Sequence, residues 1–428
     1  MSNFNISNTH PLITNANQYM FQKKYISIHS EDRDIKKFPS ASSFEIELPQ
    51  DYLNVQTIRL NSWTFPPDLK NVFSCAKYNI SLVFTINNPY IPPPDGTELQ
   101  LAIYSGLISL YNTETYNFFV ANIEEGNYTP QQMATELTNC MNKVVTDYLV
   151  TYLTINSTTI IVDDFLTGEG YAEFIIVYNE ISQKLWFGNR SSGFILNNNS
   201  CIYELNELTK NTTCENKYET EEYINWGLPW YLGLTYCSQE SIEIIPYLSN
   251  GALNKFALPC FNYDNTVLGG NYWLKPSTSN LYSNVYFIEC PMVINITGDT
   301  CFYMEIIGLN NIDETQPFNI STFTNMTNIT NGVVNSSFAK IDIDNLNYSC
   351  DSNGTGNGNY NQTQRPYKYY DPPAERIRRL YFKFRYHNGM LIRFDNLGFT
   401  FTLELGLLNN NIERKYSIQV PEAIKYFS

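Results

Sequence analysis

The sequence predicts an all-β fold, a jelly-roll sandwich with a helical insertion and long loops. Three observations carry this. Aromatic residues make up 15% of the chain, with 33 Tyr and 26 Phe, a usage suited to pleated sheets. Short alternating segments recur from end to end, separated by long crossings that favour a sandwich over an up-and-down barrel. The stretch from Arg376 to Leu405 shows the pattern most clearly. Leu380, Phe382, Phe384 and Tyr386 alternate there with Arg379, Tyr381, Lys383 and Arg385. Successive strand side chains point to opposite faces, so one face of this ribbon is apolar and the other cationic. His387-Asn388-Gly389 breaks the run as a hairpin turn, and Phe399, Phe401, Leu403 and Leu405 then oppose Thr400, Thr402 and Glu404. The two ribbons read as a β-meander with one apolar side, which another sheet must cover.

Taken in order, residues 1–20 lack hydrophobic periodicity, and residues 1–24 are set apart as an N-terminal arm. The remainder, 25–428, reads as one elaborated jelly-roll domain; two jelly rolls, 25–248 and 249–428, are the alternative. Tyr25 to Ile28 is a short strand, and Ser30 to Asp34 a polar turn in which Asp32 bonds backbone amides and Arg33 reaches an adjacent strand. Phe44, Ile46 and Leu48 alternate with Glu45 and Glu47. A strand from Val55 to Phe65 stops at Pro66-Pro67, where the backbone donor is lost. Thr129 as N-cap and Pro130 at the first helical position open a helix over 130–145, with Met133, Leu137, Cys140, Met141 and Val144 on one face. Further strands are expected at Ile80 to Ile86, Tyr152 to Val162, Val285 to Cys290, Cys301 to Leu309 and Phe338 to Ile343, with a hairpin over Phe174 to Phe187. The segment Phe44–Leu60 is expected to pair with the C-terminal ribbons, closing the sandwich from both ends of the chain. Long connections cover 264–284, 310–337 and 349–373, and a strand at Tyr416 to Val420 lies in the tail.

Charge and composition exclude several functions. A net charge of −15 argues against a general nucleic-acid binder, which needs basic clusters. The exception is Arg376, Arg378, Arg379, Lys383, Arg385 and Arg393, read either as a solvated sheet face or as a dock for an acidic neighbour. The first five, with Tyr367, Tyr369 and Tyr370, are the candidate interface residues. Nine cysteines with no Cys-x-x-Cys pair point to reduced, mostly buried thiols. The start, MSNFNISNTH, has neither the basic nor the apolar region of a secretory signal, and no apolar run reaches the ~18 residues of a membrane span. His10, His29 and His387 have no nucleophile in a catalytic setting, and no phosphate-binding glycine loop is present. Asp342 and Asp344 share a strand face but read as surface carboxylates, since the twelve-residue calcium-loop pattern is missing. No catalytic, cofactor-binding or metal-ligating residue is assigned, and the chain is not read as an enzyme.

Four motifs in a fixed order carry a family resemblance. The first is Ser30, Asp32, Arg33, Pro39, Ser40, Ser43, Phe44, Leu48 and Pro49, followed by Val55, Ile58 and Leu60. The second is Gly126-Asn127-Tyr128-Thr129 ahead of the helix. The third is the Trp226-to-Leu234 stretch, where Leu234 stands in place of an aromatic residue. The fourth is the C-terminal pair of ribbons. In this the chain resembles minor capsid proteins of the nucleocytoplasmic large DNA viruses, the giant-virus group. The resemblance implies a structural protein that cements or scaffolds an icosahedral shell. Its partners would be the major capsid protein, other minor capsid proteins and copies of itself, with no specific nucleic acid and no transmembrane segment. The implied location is the virion capsid, assembled in host cytoplasm. A vertex (penton) capsid protein is the alternative within the shell. Outside it, a jelly-roll carbohydrate-binding attachment protein would stack sugars on Trp226, Trp230 or Tyr367 to Tyr370.

Overall fold

The computed structural model describes residues 21–112, 117–197, 203, 226–235, 237–252, 254, 257–259, 273–276, 283–315, 334–348, 366–387 and 389–408. The expected arm at 1–20, most of the loop over 349–373 and the tail strand at 416–420 lie outside these residues. Among the described residues, contacts divide the chain into two units: the first takes those of 21–70, 299–315 and 334–408, the second those of 71–298. The second is thus inserted into the first along the sequence.

The chain opens with β1 (Phe21–His29) and β2 (Ser43–Thr64). The inserted unit then carries β3 (Ser81–Asn88), α1 (Glu98–Tyr111), β4 (Phe119–Asn122), α2 (Pro130–Asn156), α3 (Thr159–Thr167), β5 (Phe174–Asn179), β6 (Lys184–Asn189), β7 (Gly193–Leu196), α4 (Leu228–Tyr231), β8 (Gln239–Glu240), β9 (Ile242–Ile244) and β10 (Val285–Glu289). The first unit resumes with β11 (Cys301–Ile306), β12 (Ile312–Thr315), β13 (Val334–Ser337), β14 (Ala339–Asp342), β15 (Asn347–Tyr348), β16 (Tyr367–Arg385) and β17 (Thr400–Leu408).

In the first unit the two longest strands each serve two leaves. Residues 55–64 of β2 lie between β17 and the start of β16, and β17 pairs in turn with β1. Residues 43–53 of β2 pair with the later part of β16, whose end pairs with β11, and β11 pairs with β14. Two antiparallel four-stranded leaves result, β1–β17–β2–β16 and β2–β16–β11–β14, which is the jelly-roll arrangement. β2 changes leaf at Asn54, whose φ of +52° lies in the left-handed region that asparagine tolerates. β16 does so across Asp371-Pro372-Pro373, where the register skips from Tyr369 to Ala374 and the prolines offer no ladder donor.

The apolar faces meet between the leaves. Phe382 lies 5.0 Å from Phe401, Phe384 5.0 Å from Phe399, and Phe65 5.0 Å from Phe302, ring centre to ring centre. Edge-to-face pairs of this kind add roughly 0.5–1.5 kcal/mol each beyond their burial. Pairing of Phe44–Leu60 with the C-terminal ribbons is therefore as the alternation implied. The meander is not. Among the described residues β16 and β17 pair with β2 and not with each other, so their apolar sides face across the core. The turn after Tyr386 forms, with Gly389 N–H donating to Tyr386 O at 3.1 Å, but only Arg385 and Leu391 bridge beyond it. Residues 367–373, expected as loop, belong to β16, and β12 and β13 occupy the two ends of the expected 310–337 connection.

The inserted unit has two four-stranded antiparallel sheets, β4–β3–β7–β8 and β5–β6–β10–β9. The hairpin of β5 and β6 is the one expected over Phe174 to Phe187. Helix α2 is longer than the expected 130–145, and the stretch from Tyr152 to Val162 is helical rather than a strand. Its reason is an unbroken buried ladder at every fourth residue, Met133, Leu137, Met141, Val145, Leu149 and Leu153, which fixes the helix despite the β-branched residues that follow. A capping box at its start joins Thr129 and Gln132.

The polar side of α2 completes the edge of β5, which has β6 as its one strand neighbour among the described residues. Thr138 Oγ1 accepts from Ile176 N–H at 2.9 Å, and Thr146 Oγ1 from Tyr171 N–H at 2.9 Å. Between them Asn142 accepts from Phe174 N–H at 2.9 Å and donates to Phe174 O at 2.8 Å. Spacing of four along the helix thus supplies the groups that a missing strand would have supplied. Asn142→Ala is expected to cost about 2–4 kcal/mol in urea denaturation, because it strands a buried donor and acceptor together. The exposed Thr151→Ala on the same helix should stay within about 0.5 kcal/mol of the parent. Equal effects of the two would contradict this role.

Candidate functional surface

All eight candidate interface residues lie on β16, but they do not form one surface. Tyr367 and Tyr369 are 54% and 53% exposed, and Tyr370 is half-buried. Gln56 on β2 donates to Tyr369 Oη at 2.6 Å and fixes that ring against its neighbour strand. Arg376, Arg378 and Arg379 follow on the outward side. Each meets a carboxylate of β2: Arg376 reaches Asp51 at 3.5 Å, Arg378 reaches Glu47 at 2.6 Å, and Arg379 reaches Glu47 at 3.6 Å. The register explains the double pairing. Between Ile377↔Tyr52 and Arg379↔Glu47, β2 has extra residues that bulge out and carry Asp51 beside the arginines. The hydrogen bond from Arg378, then its charge and that of Arg379, hold the Glu47 carboxyl below the ordinary glutamate range. Lys383 lies 3.8 Å from Glu305 of β11.

Arg385 corrects the alternation. It is wholly buried, not part of an outer cationic face. Its Nε bonds Glu305, its Nη2 bonds Glu314, its Nη1 lies 3.2 Å from Glu314 Oε2, and Cζ sits 5.3 Å from the Tyr303 ring centre. His387 Nδ1 lies 3.0 Å from Glu314 Oε2. Burial pushes the Glu314 carboxyl up, but the hydrogen bonds from His387 and Arg385 and the Arg385 charge outweigh it and hold it below its ordinary range. Nothing in the spacing of β16 marked this residue, since its partners lie 71 and 80 residues away.

The motif residues of the N-terminal half are structural. Arg33 donates to Ser30 O, Phe38 O and Pro39 O, so it clamps its own loop rather than an adjacent strand. Asp34, not Asp32, accepts the Lys36 and Lys37 amides. Ser30 is buried and exchanges two bonds with the backbone of Phe399. At the second motif, Asn127 accepts from Val72 N–H, Gly126 pairs with Phe73, and Tyr128 Oη donates to Glu124 O at 2.6 Å. At the third, Trp226 is 2% exposed and packs edge-on against Tyr203 at 4.8 Å, so it is closed to a stacking sugar, and Trp230 is half-buried.

Of the five described cysteines only Cys290 is buried, and Cys75 and Cys237 are exposed; the other four lie outside the described residues. Burial, then a hydrogen bond to Glu136, pushes the Cys140 thiol up to about 12, which leaves it a poor nucleophile at neutral pH. Among the described residues no group of three or more His, Cys, Asp or Glu is arranged to hold a metal. No described helix is long and apolar enough to cross a membrane.

What remains on the outward sides of β2 and β16 falls on two leaves: Tyr367 and Tyr369 on the first, and Arg376, Arg378 and Arg379 with Asp51 and Glu47 on the second, where Leu53 is 55% exposed. Three arginines there share two carboxylates, and Tyr and Arg are residues enriched where proteins meet. No protein-family model and no curated protein matches the chain. Two solved structures align with this chain over most of their length. A chain in the 3.5 Å cryo-EM structure of the Sputnik virophage shares 11% identity, with 90% of this chain and 97% of that chain covered and a TM-score of 0.30. The mavirus penton protein shares 8% identity, with 90% and 99% covered and a TM-score of 0.24.

Proposed function

We propose that this chain is a structural capsid protein of a large DNA virus, a minor one that cements or scaffolds the icosahedral shell. The observation that carries the reading is the exposure on the outward sides of β2 and β16. Tyr367, Tyr369 and Leu53 stay more than half exposed there while Arg376, Arg378 and Arg379 are matched within the chain. A surface whose charges have partners strands none of them uncompensated when it is covered, and exposed tyrosines supply contact area at low entropic cost. The sequence resemblance supports the same reading, because its motif residues hold the loops of a jelly roll together in this chain. The partners would be the major capsid protein, other minor capsid proteins and further copies of itself, within the virion shell assembled in host cytoplasm.

Mass spectrometry of gradient-purified particles should find the chain at a fixed ratio to the most abundant shell protein. Tyr367→Asp with Tyr369→Asp should reduce its incorporation severalfold while the free protein melts normally. A chain absent from purified particles would refute the proposal.

A further inference from the structure

A groove of about 570 Å³ lies in the jelly-roll unit between two strand edges. One edge is β1 from Ile26 to His29, which pairs with β17 alone among the described residues. The other is β2 from Phe44 to Leu48, which pairs with β16 alone among them. Ile26, Ile28, Ile46 and Leu48 line its apolar part, Ile46 half-buried and the other three 2–5% exposed. The rim carries four carboxylates, Asp32, Asp34, Glu45 and Glu47, against two cations, Lys37 and Arg379. Glu45 is bound by Lys37 and Glu47 by the arginines of β16, whereas Asp32 and Asp34 make no ion pair among the described residues.

We infer that this groove takes one extended segment of a neighbouring polypeptide, in which apolar residues alternate with Lys or Arg. The apolar part and the rim correspond to the two faces of a strand. Alternate side chains of an added strand would meet the isoleucines and leucine, and the others would meet the carboxylates. Backbone groups along either edge would supply the ladder, which is what an uncovered edge offers a partner. A second copy of the same edge is disfavoured, since Glu45 and Glu47 would face their own kind in a chain of net charge −15. The inference goes beyond the shell reading and holds wherever the chain resides.

The test is fluorescence anisotropy of labelled nonapeptides against the full chain. The parent peptide alternates lysine with isoleucine or valine. A second carries glutamate for lysine, and a third has alternate backbone amides N-methylated, which abolishes strand pairing but keeps the charge. The parent should bind, with the other two at least ~10-fold weaker, about 1.4 kcal/mol. Asp32→Asn with Asp34→Asn should weaken the parent severalfold and flatten its salt dependence without changing the melting temperature, because asparagine keeps the amide-accepting oxygen. No binding of the parent to folded protein would overturn the inference. So would equal binding of the N-methylated peptide, since attraction to an acidic chain would then suffice.

Discussion

Gly233→Ala is expected to destabilise the inserted unit by about 3 kcal/mol or more. The φ of Gly233 is +86°, a left-handed conformation that costs a side-chain-bearing residue roughly 1–3 kcal/mol. A Cβ there would also collide with Met292 O and come within 2.9 Å of Met292 C and 3.0 Å of Val293 O. All three are backbone atoms, so the obstacle cannot rotate away. That approach is itself fixed: Met292 N–H donates to Gly233 O at 3.0 Å and Asn295 N–H to Tyr231 O at 2.8 Å. Gly251→Ala provides the comparison, with φ +77° but nothing within 4 Å of the added Cβ, and should lose only the conformational part, about 1 kcal/mol. Trp186, Trp226, Trp230 and Trp273 lie in the inserted unit, so tryptophan fluorescence in urea reports it preferentially. Equal losses in the two variants would show that the backbone approach does not matter.

Arg385→Met is expected to cost the jelly-roll unit about 3–5 kcal/mol, the usual penalty for removing one partner of a buried ion cluster. The loss comes from the carboxylates left behind. Glu314 is buried with Arg385 and His387 as its partners, and Glu305 is nearly so. Replacing all three members, Arg385→Met with Glu305→Leu and Glu314→Leu, should recover a large part of the loss, since no charge is then stranded. The same cluster sets a pH dependence. The folded pKa of Glu314 lies below its unfolded value, as does that of Glu404, where Arg59 and Lys23 outweigh burial. A depressed carboxyl contributes stability that is fully present above the unfolded value, about 4.3, and is lost as pH falls through the folded one. Urea midpoints should therefore be flat above about pH 5 and fall steeply in acid, with a shallower fall in the triple variant. A single variant within about 1 kcal/mol of the parent would contradict the cluster's role.

The alternation of β16 and β17 made their buried faces legible in the sequence, down to Leu380, Phe382, Phe384, Phe401 and Leu403. What it could not reveal was which faces meet, because a period of two says which side is apolar and not what covers it. Hence the two ribbons looked like one meander, although their rings pack against each other across the core. Helix α1 was not anticipated because its segment, ELQLAIYSGLISLY, is apolar nearly all round and has little periodicity. Its available signal was the capping box of Thr97 and Gln100. At the candidate surface, exposure of Arg379 followed from the alternation, whereas Tyr367 and Tyr369 were expected on a loop, and Arg376 and Arg378 have the parity of the apolar face, which the register shift before Arg379 breaks. The carboxylates that pair with those arginines, and the burial of Arg385, depend on register and on contacts distant in sequence.

The outward sides of β2 and β16 are proposed as contact faces within an assembled shell. A density map of the purified particle tests this most directly. It should place this chain in the shell with Tyr367, Tyr369 and Leu53 against a neighbouring protein. A map in which the chain is present but those sides face open solvent, or in which no density fits the jelly-roll unit, would contradict it.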